Sequence, residues 1–190
     1  MILLIVALDS ELSSRRLPDG VQLIHCGVGK VNAALATTAA IARLRPTLVV
    51  NYGTAGAVSA SAVGLLEVAS VIQRDMNAEP LAPRGVTPFD ASPAELQSGF
   101  AGVRCATGDS FVTNVDPWLL QQRVDIVDME LFAIALACQR AALPWRAFKF
   151  ITDAADGEAA GHWNERVGHG EELLIARLSQ IVAEAPQNIG

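Results

Sequence analysis

Apolar residues along the chain fall into short continuous runs, each closed by small or acidic residues. Ile2–Ala7, Val21–Cys26, Thr47–Asn51, Glu67–Gln73, Val103–Thr107 and Trp145–Ile151 are rich in branched side chains and have no polar alternation. Runs of this length and composition predict strands buried on both faces. Between them the pattern changes to a helical period. Val31 to Leu44 is Ala-rich and amphipathic and stops before Pro46. Ser92-Pro93-Ala94-Glu95 has the form of a capping box with Pro at the first helical position, which predicts a short helix. Asp116-Pro117 predicts another, and a helix from about Trp163 to Glu184 follows the last strand. Residues 74 to 90 carry Pro80, Pro83, Pro88 and Gly85 and read as a loop. Strands alternating with helices imply an α/β fold. The expectation is a single domain over residues 1–190, with a central twisted, mostly parallel sheet flanked by helices.

One stretch departs from this rhythm. Val124 to Arg140, VDIVDMELFAIALACQR, begins as a strand-like run and continues as an almost wholly apolar helix. A helix apolar on most faces is buried. Asp128 and Glu130 stand where the chain enters it. Asp128 suits an N-cap, and Glu130 could be a first-turn acid that complements the helix dipole. Yet Glu130 is flanked by Met129 and Leu131 and has no Lys or Arg within one helical turn. A buried carboxylate needs a partner, and the paired hydroxyls of a ribose are one that fits. Both readings stay open on these residues alone.

The ends of the apolar runs carry the remaining candidates. Glu11 follows the first, in Leu8-Asp9-Ser10-Glu11, where it is either a solvated loop acid or a ligand contact. Tyr52-Gly53-Thr54-Ala55-Gly56-Ala57 reads as a turn after the third run, with glycines that let backbone approach a ligand. Phe111 and Val112 follow Gly108-Asp109-Ser110, and Asp153 lies just beyond the last run. Gly27-Val28-Gly29-Lys30 joins a strand to a helix as dinucleotide-binding turns do, but Asn32 stands where the third glycine falls.

Composition narrows the class. The net charge of −6 argues against a nucleic-acid partner. Charged residues make up only 18% of the 190, so part of the surface is expected to be covered by a second copy, as a homodimer. Cys26, Cys105 and Cys138 lie in apolar runs without paired spacing and read as reduced core residues of a cytoplasmic protein. The opening apolar run is too short to span a membrane and lacks the basic start of a signal peptide. His162 and His169 complete no metal-binding pattern, so neither metal nor cofactor is expected.

Six short segments together resemble the nucleoside phosphorylase/nucleosidase superfamily, most closely its 5′-methylthioadenosine/S-adenosylhomocysteine nucleosidases. They are ALDSEL at 7–12, HCGVGKVNAAL at 25–35, NYGTAGAV at 51–58, GDSFVTN at 108–114, VDMELFAIA at 127–135 and ITDAAD at 151–156. The resemblance implies a twisted sheet partly closed into a barrel and cleavage of the N-glycosidic bond of a purine nucleoside. It implies that Glu11 activates the attacking water and that Asp153 protonates or hydrogen-bonds the purine N7. It implies that Glu130 grips the ribose hydroxyls with Met129 against the sugar. Phe111 would stack on the purine and the Val112 backbone would read its edge. Thr54, followed by Ala55 and Gly56, stands for a family Ser near the nucleophile's path, and Trp163 for a Phe that closes the pocket. An oxocarbenium-like transition state needs this pairing of an acid with a water-activating base.

The resemblance also separates hydrolysis from phosphorolysis. The superfamily's phosphorylases place a phosphate-binding arginine two residues before the Gly-Thr turn, where this chain has Asn51, and they lack a carboxylate like Glu11. Segments 12–27 and 75–108 are shorter than in the family, and these help to build the 5′ side of the pocket and the dimer contact. The alternatives are a futalosine hydrolase-like enzyme, a purine nucleoside phosphorylase, a nucleoside-binding protein without turnover, and a dinucleotide-binding domain built on Gly27 to Lys30.

Overall fold

The computed structural model describes residues 1–12, 17–155 and 169–184. Its strands are β1 (Ile2–Val6), β2 (Val21–His25), β3 (Leu48–Ala57), β4 (Leu65–Gln73), β5 (Glu95–Gln97), β6 (Val103–Thr107), β7 (Ile126–Asp128) and β8 (Trp145–Asp153). Its helices are α1 (Lys30–Leu44), α2 (Pro117–Gln121), α3 (Leu131–Arg140) and α4 (Glu171–Glu184). The part of the expected last helix from Trp163 to residue 168 lies outside the described residues.

All eight strands belong to one mixed sheet. The pairs β1–β2, β1–β3, β3–β8, β4–β6 and β6–β7 are parallel, while β3–β7, β4–β5 and β4–β8 are antiparallel. Because β8 pairs with both β3 and β4, the strands β3, β7, β6, β4 and β8 close into a ring. The strands β1 and β2 extend from β3 as an open wing.

Alternation along β1 explains its continuous apolar sequence. Leu3 and Ile5 enter one core with Ala33 and Ala40 of α1 and with Leu131, Ile134 and Cys138 of α3. Leu4 and Val6 enter another with Tyr52, Phe148 and Leu174, Leu178 and Ile181 of α4. Both faces of the strand are therefore covered, as an unalternating run requires. Helix α1 ends at Arg45, which adopts a left-handed conformation with φ 50° just before Pro46.

Two local expectations are corrected. The segment around Ser92 forms no helix. The Ser92 N–H donates to Asp90 Oδ1 at 2.8 Å, and Glu95 pairs with Arg104 at 2.9 Å instead of closing a capping box. The chain then runs as β5, antiparallel to β4, with Leu96 buried. The stretch Tyr52–Ala57 is likewise not a turn. It continues β3, because β8 runs beside it from Val49 to Gly56 and supplies hydrogen-bond partners throughout, with a register shift between Ala55 and Gly56.

Candidate active site

A cavity of about 240 Å³ opens where the ends of β1, β3 and β8 meet β7 and the segment after β6. Glu11, Thr54, Ala55, Gly56, Phe111 and Val112 line it. So do Met129, Glu130 and Asp153. Of the residues singled out in the sequence, His162 and Trp163 lie outside the described residues. His169 is exposed. Among the described residues no group of three or more His, Cys, Asp or Glu is arranged to hold a metal ion.

Glu11 is not a solvated loop acid. It is buried, 4% exposed. Its Oε1 accepts the Thr54 N–H and the Thr54 hydroxyl, each at 2.8 Å, and its Oε2 accepts the Leu8 N–H at 3.1 Å. The tight loop after β1 brings the carboxylate back over β3, where Gly53 leaves room for it. A Cβ on Gly53 would stand 3.3 Å from Glu11 Oε1.

Asp153 ends β8 and is 8% exposed. Its Oδ2 accepts the Thr152 hydroxyl and its Oδ1 the Ala155 N–H, both at 2.9 Å. Local groups thus hold the carboxyl in place.

Glu130 stands at the start of α3, and Gly29 donates its N–H to Glu130 Oε1 at 2.9 Å. Next to it, the Lys30 N–H donates to Asp109 Oδ1 at 2.7 Å. The amides at the amino end of α1 are therefore turned to carboxylates of the chain itself. A pyrophosphate would have to displace both, and the dinucleotide reading of Gly27 to Lys30 falls. Burial, then the neighbouring Asp128, push the Glu130 carboxyl up to about 7 from 4.5, while Lys149 and the Gly29 N–H oppose the rise.

Asp128 caps α3 from the end of β7 rather than as the residue flanking the helix. Its Oδ2 accepts the Leu131 N–H at 2.8 Å and the Glu130 N–H at 3.3 Å. Its Oδ1 accepts the Thr107 hydroxyl at 2.5 Å, and Thr107 Oγ1 in turn accepts the Phe132 N–H at 2.9 Å. Lys149 Nζ lies 2.7 Å from Asp128 Oδ2, with both side chains sealed from solvent. Burial works against the charge on each, but the pair reverses it. Lys149 holds Asp128 below its usual range, and Asp128 with Glu130 holds Lys149 above its own.

Lys149 and Arg74 were not singled out in the sequence. The signal for Lys149 was its place in WRAFKFI, where a cation interrupts a buried apolar strand. Arg74 follows β4 and holds the segment that carries Phe111. Its Nη1 donates to Ser110 Oγ at 2.9 Å, and its Nη2 to the Gly108 carbonyl at 2.8 Å and to the Ser110 carbonyl. A Cβ on residue 108 would stand 2.8 Å from Arg74 Cγ, so this packing requires glycine there.

Comparison with known proteins fits this arrangement. Residues 19–185 match the model of the phosphorylase superfamily. A 5′-methylthioadenosine/S-adenosylhomocysteine nucleosidase of Staphylococcus haemolyticus is 30% identical over 184 residues, which cover 85% of this chain and 81% of that one. Among solved structures, the nucleosidase of that name from Colwellia psychrerythraea, in complex with adenine, superposes with a TM-score of 0.81 at 24% identity, covering 94% of each chain. The futalosine hydrolase of Helicobacter pylori gives 0.85 at 20% identity, covering 96% of this chain and 97% of that one. At those identities the two structures speak for the fold. With the superfamily model spanning most of the sequence and a curated relative at this identity and coverage, the chain belongs to the phosphorylase superfamily, in its 5′-methylthioadenosine/S-adenosylhomocysteine nucleosidase branch.

Proposed function

We propose that the chain hydrolyses the N-glycosidic bond of a purine nucleoside of the 5′-methylthioadenosine or S-adenosylhomocysteine type. The observation that carries water rather than phosphate as nucleophile is the seating of Glu11. Its carboxylate takes the Thr54 N–H, the Thr54 hydroxyl and the Leu8 N–H. Those are donors that a phosphate at this end of the cavity would need, and the negative charge itself repels one. Asn51 does not substitute as an anion ligand, since its amide nitrogen donates to the Ile5 and Tyr52 carbonyls.

In this reading a water beside Glu11 attacks C1′ and gives its proton to the Glu11 carboxylate. The C1′–N9 bond breaks with its electron pair going to the purine, and Asp153 supplies a proton or hydrogen bond at N7. The Thr152 hydroxyl and the Ala155 amide keep the Asp153 carboxyl aimed during the transfer. Glu130 takes the ribose hydroxyls, and Met129 lies against the sugar. Phe111 is nearly half exposed, which suits a ring that gains cover by stacking on the base, and the Val112 backbone lies at the base edge. Trp163 would close the pocket from beyond the described residues. The acid, the base and the ribose clamp together match what an oxocarbenium-like transition state requires.

The chain acts as one nucleosidase-like domain and pairs with a second copy. Support comes from α1, where Val31 and Leu35 are 69% and 68% exposed one helical turn apart, next to Val28 at the cavity wall. Three free thiols, two of them buried, accord with the reducing cytoplasm. The described residues contain no helix long and apolar enough to cross a membrane.

The test is a panel of nucleosides differing in base and 5′ substituent, assayed for free base with and without phosphate. Purine release in phosphate-free buffer, with free sugar as the other product, is expected. Strict dependence on phosphate with a sugar 1-phosphate product would overturn the reading. Preference within the panel then identifies the 5′ group.

A further inference from the structure

Lys149 is 1% exposed in the middle of an apolar strand, and burying an ammonium is unfavourable unless a partner of opposite charge meets it there. Its Nζ meets Asp128 Oδ2 at 2.7 Å. That same oxygen accepts the amides of Glu130 and Leu131, the first N–H groups of α3. The chain of contacts therefore runs from the ammonium through one carboxylate to the backbone that presents Glu130. It continues from the Glu130 side chain to Gly29 on α1. Gly53 lies against the arrangement from the other side, where a Cβ would stand 3.3 Å from Glu11 Oε1 and in van der Waals contact, at 3.4 Å, with Lys149 Nζ.

We propose that Lys149 is a positioning residue for Glu130. Acting through Asp128, it fixes both the place and the charge of the carboxylate at the ribose end of the cavity. The inference rests on the reading of Glu130 as the ribose clamp. Among the described residues, four groups act on that carboxylate besides the Gly29 amide. Asp128 on β7 and Glu11 after β1 are negative, Lys149 on β8 is positive, and the Cys26 thiol after β2 is held neutral, its pKa pushed up to about 12 by burial. Lys149 is the one cation among them. Without it three carboxylates would share a single cavity wall, and a clamp that must accept hydrogen bonds from two hydroxyls would hold a proton instead.

The sign of each substitution distinguishes this from a purely structural ion pair. The readout is the pH at which nucleoside binding and kcat/KM break as Glu130 titrates. Lys149→Met removes the attraction and should move the break up, on the order of one pH unit or more. Asp128→Asn removes the repulsion, keeps an oxygen for the Leu131 amide, and should move the break down. Lys149→Arg should leave it in place and rescue KM. A merely structural pair would lower stability and the amount of active enzyme in all three without moving the break. If Lys149→Met yields no soluble protein, Asp128→Asn decides alone, and an unmoved break there overturns the proposal. Wild type failing to release any purine would instead sink the nucleosidase reading, which separates the two failures.

Discussion

Gly56 and Asp153 face each other across β3 and β8, and the carboxylate of one occupies the space where the other lacks a side chain. A Cβ on residue 56 would stand 2.7 Å from Asp153 Oδ1 and 3.3 Å from both Ala155 Cβ and Val127 Cγ2. Gly56→Ala should therefore push the carboxylate off the Ala155 amide. Expected is a drop in kcat of about 10²-fold or more, as for a misplaced catalytic group, with the fold kept. Steady-state kinetics beside circular dichroism checks it, and wild-type kcat in this variant would show that Asp153 is not needed where it stands.

Glu11→Gln keeps the shape of the side chain but cannot accept the water's proton. Turnover should fall by roughly 10²–10⁴, the range of a general base. Substrate affinity should change little, because the Thr54 N–H and hydroxyl can still donate to the one oxygen that remains and only the Leu8 N–H loses its acceptor. Single-turnover rates and nucleoside binding measured separately resolve the two effects.

Asp153→Asn can still donate a hydrogen bond at N7 but has no proton to transfer. A large loss of turnover with a smaller change in affinity is expected. A nucleoside with carbon in place of N7 should bind to the wild type and survive intact. Normal cleavage of that analogue would remove Asp153 from the acid's role and the purine assignment with it.

The empty enzyme should lose stability as pH rises, through Glu130. Unfolded, this carboxyl titrates near 4.5, and folded it titrates near 7. The native state thus binds the proton more tightly. The group's contribution is fully present below about 4.5, declines across the interval and is gone above about 7. At about 1.4 kcal/mol per pKa unit the swing is a few kcal/mol. Urea unfolding of wild type and Glu130→Gln at about pH 5 and about pH 8 checks the sign. The variant should be the more stable of the two only at the higher pH.

Sedimentation at micromolar concentration should give a dimer. Placing a charge on the exposed α1 face with Leu35→Glu should shift it towards monomer, since Leu35 is 68% exposed and contributes to no core cluster. A clean monomer of the wild type would refute the paired assembly.

The buried strands were legible in the sequence because both of their faces are covered, which leaves an unbroken apolar run for β1 and mostly apolar runs, interrupted by Arg104 in β6 and by Arg146 and Lys149 in β8. Glu11, Glu130 and Asp153, which line the cavity, stood out because each carboxyl group follows an apolar run, but for Glu11 and Glu130 the residues alone left a solvated or dipole-complementing acid open. What stayed hidden depended on distant partners. Tyr52 to Ala57 looks like a turn until β8 lies beside it, and β5 looks like a helix start until Asp90 and Arg104 take up its polar groups. Lys149 could not be matched to Asp128 from local spacing, since the two meet only when β7 and β8 flank β3.

The closed ring of strands has a consequence for how the molecule is made. Its closing member is β8, whose Trp145 must find Val49 and whose Phe150 must find Leu65. Contacts so remote in sequence are slow to form, because a long intervening chain must first be folded back. While the chain emerges from the ribosome, β3 and β4 wait with unpaired backbone edges, the kind of surface that recruits other chains. The strand that seals them also brings Asp153 and Lys149. A nascent molecule therefore acquires the cavity carboxyl of Asp153, its buried cation and its protection from aggregation in the same step, and none of the three exists before β8 is in place.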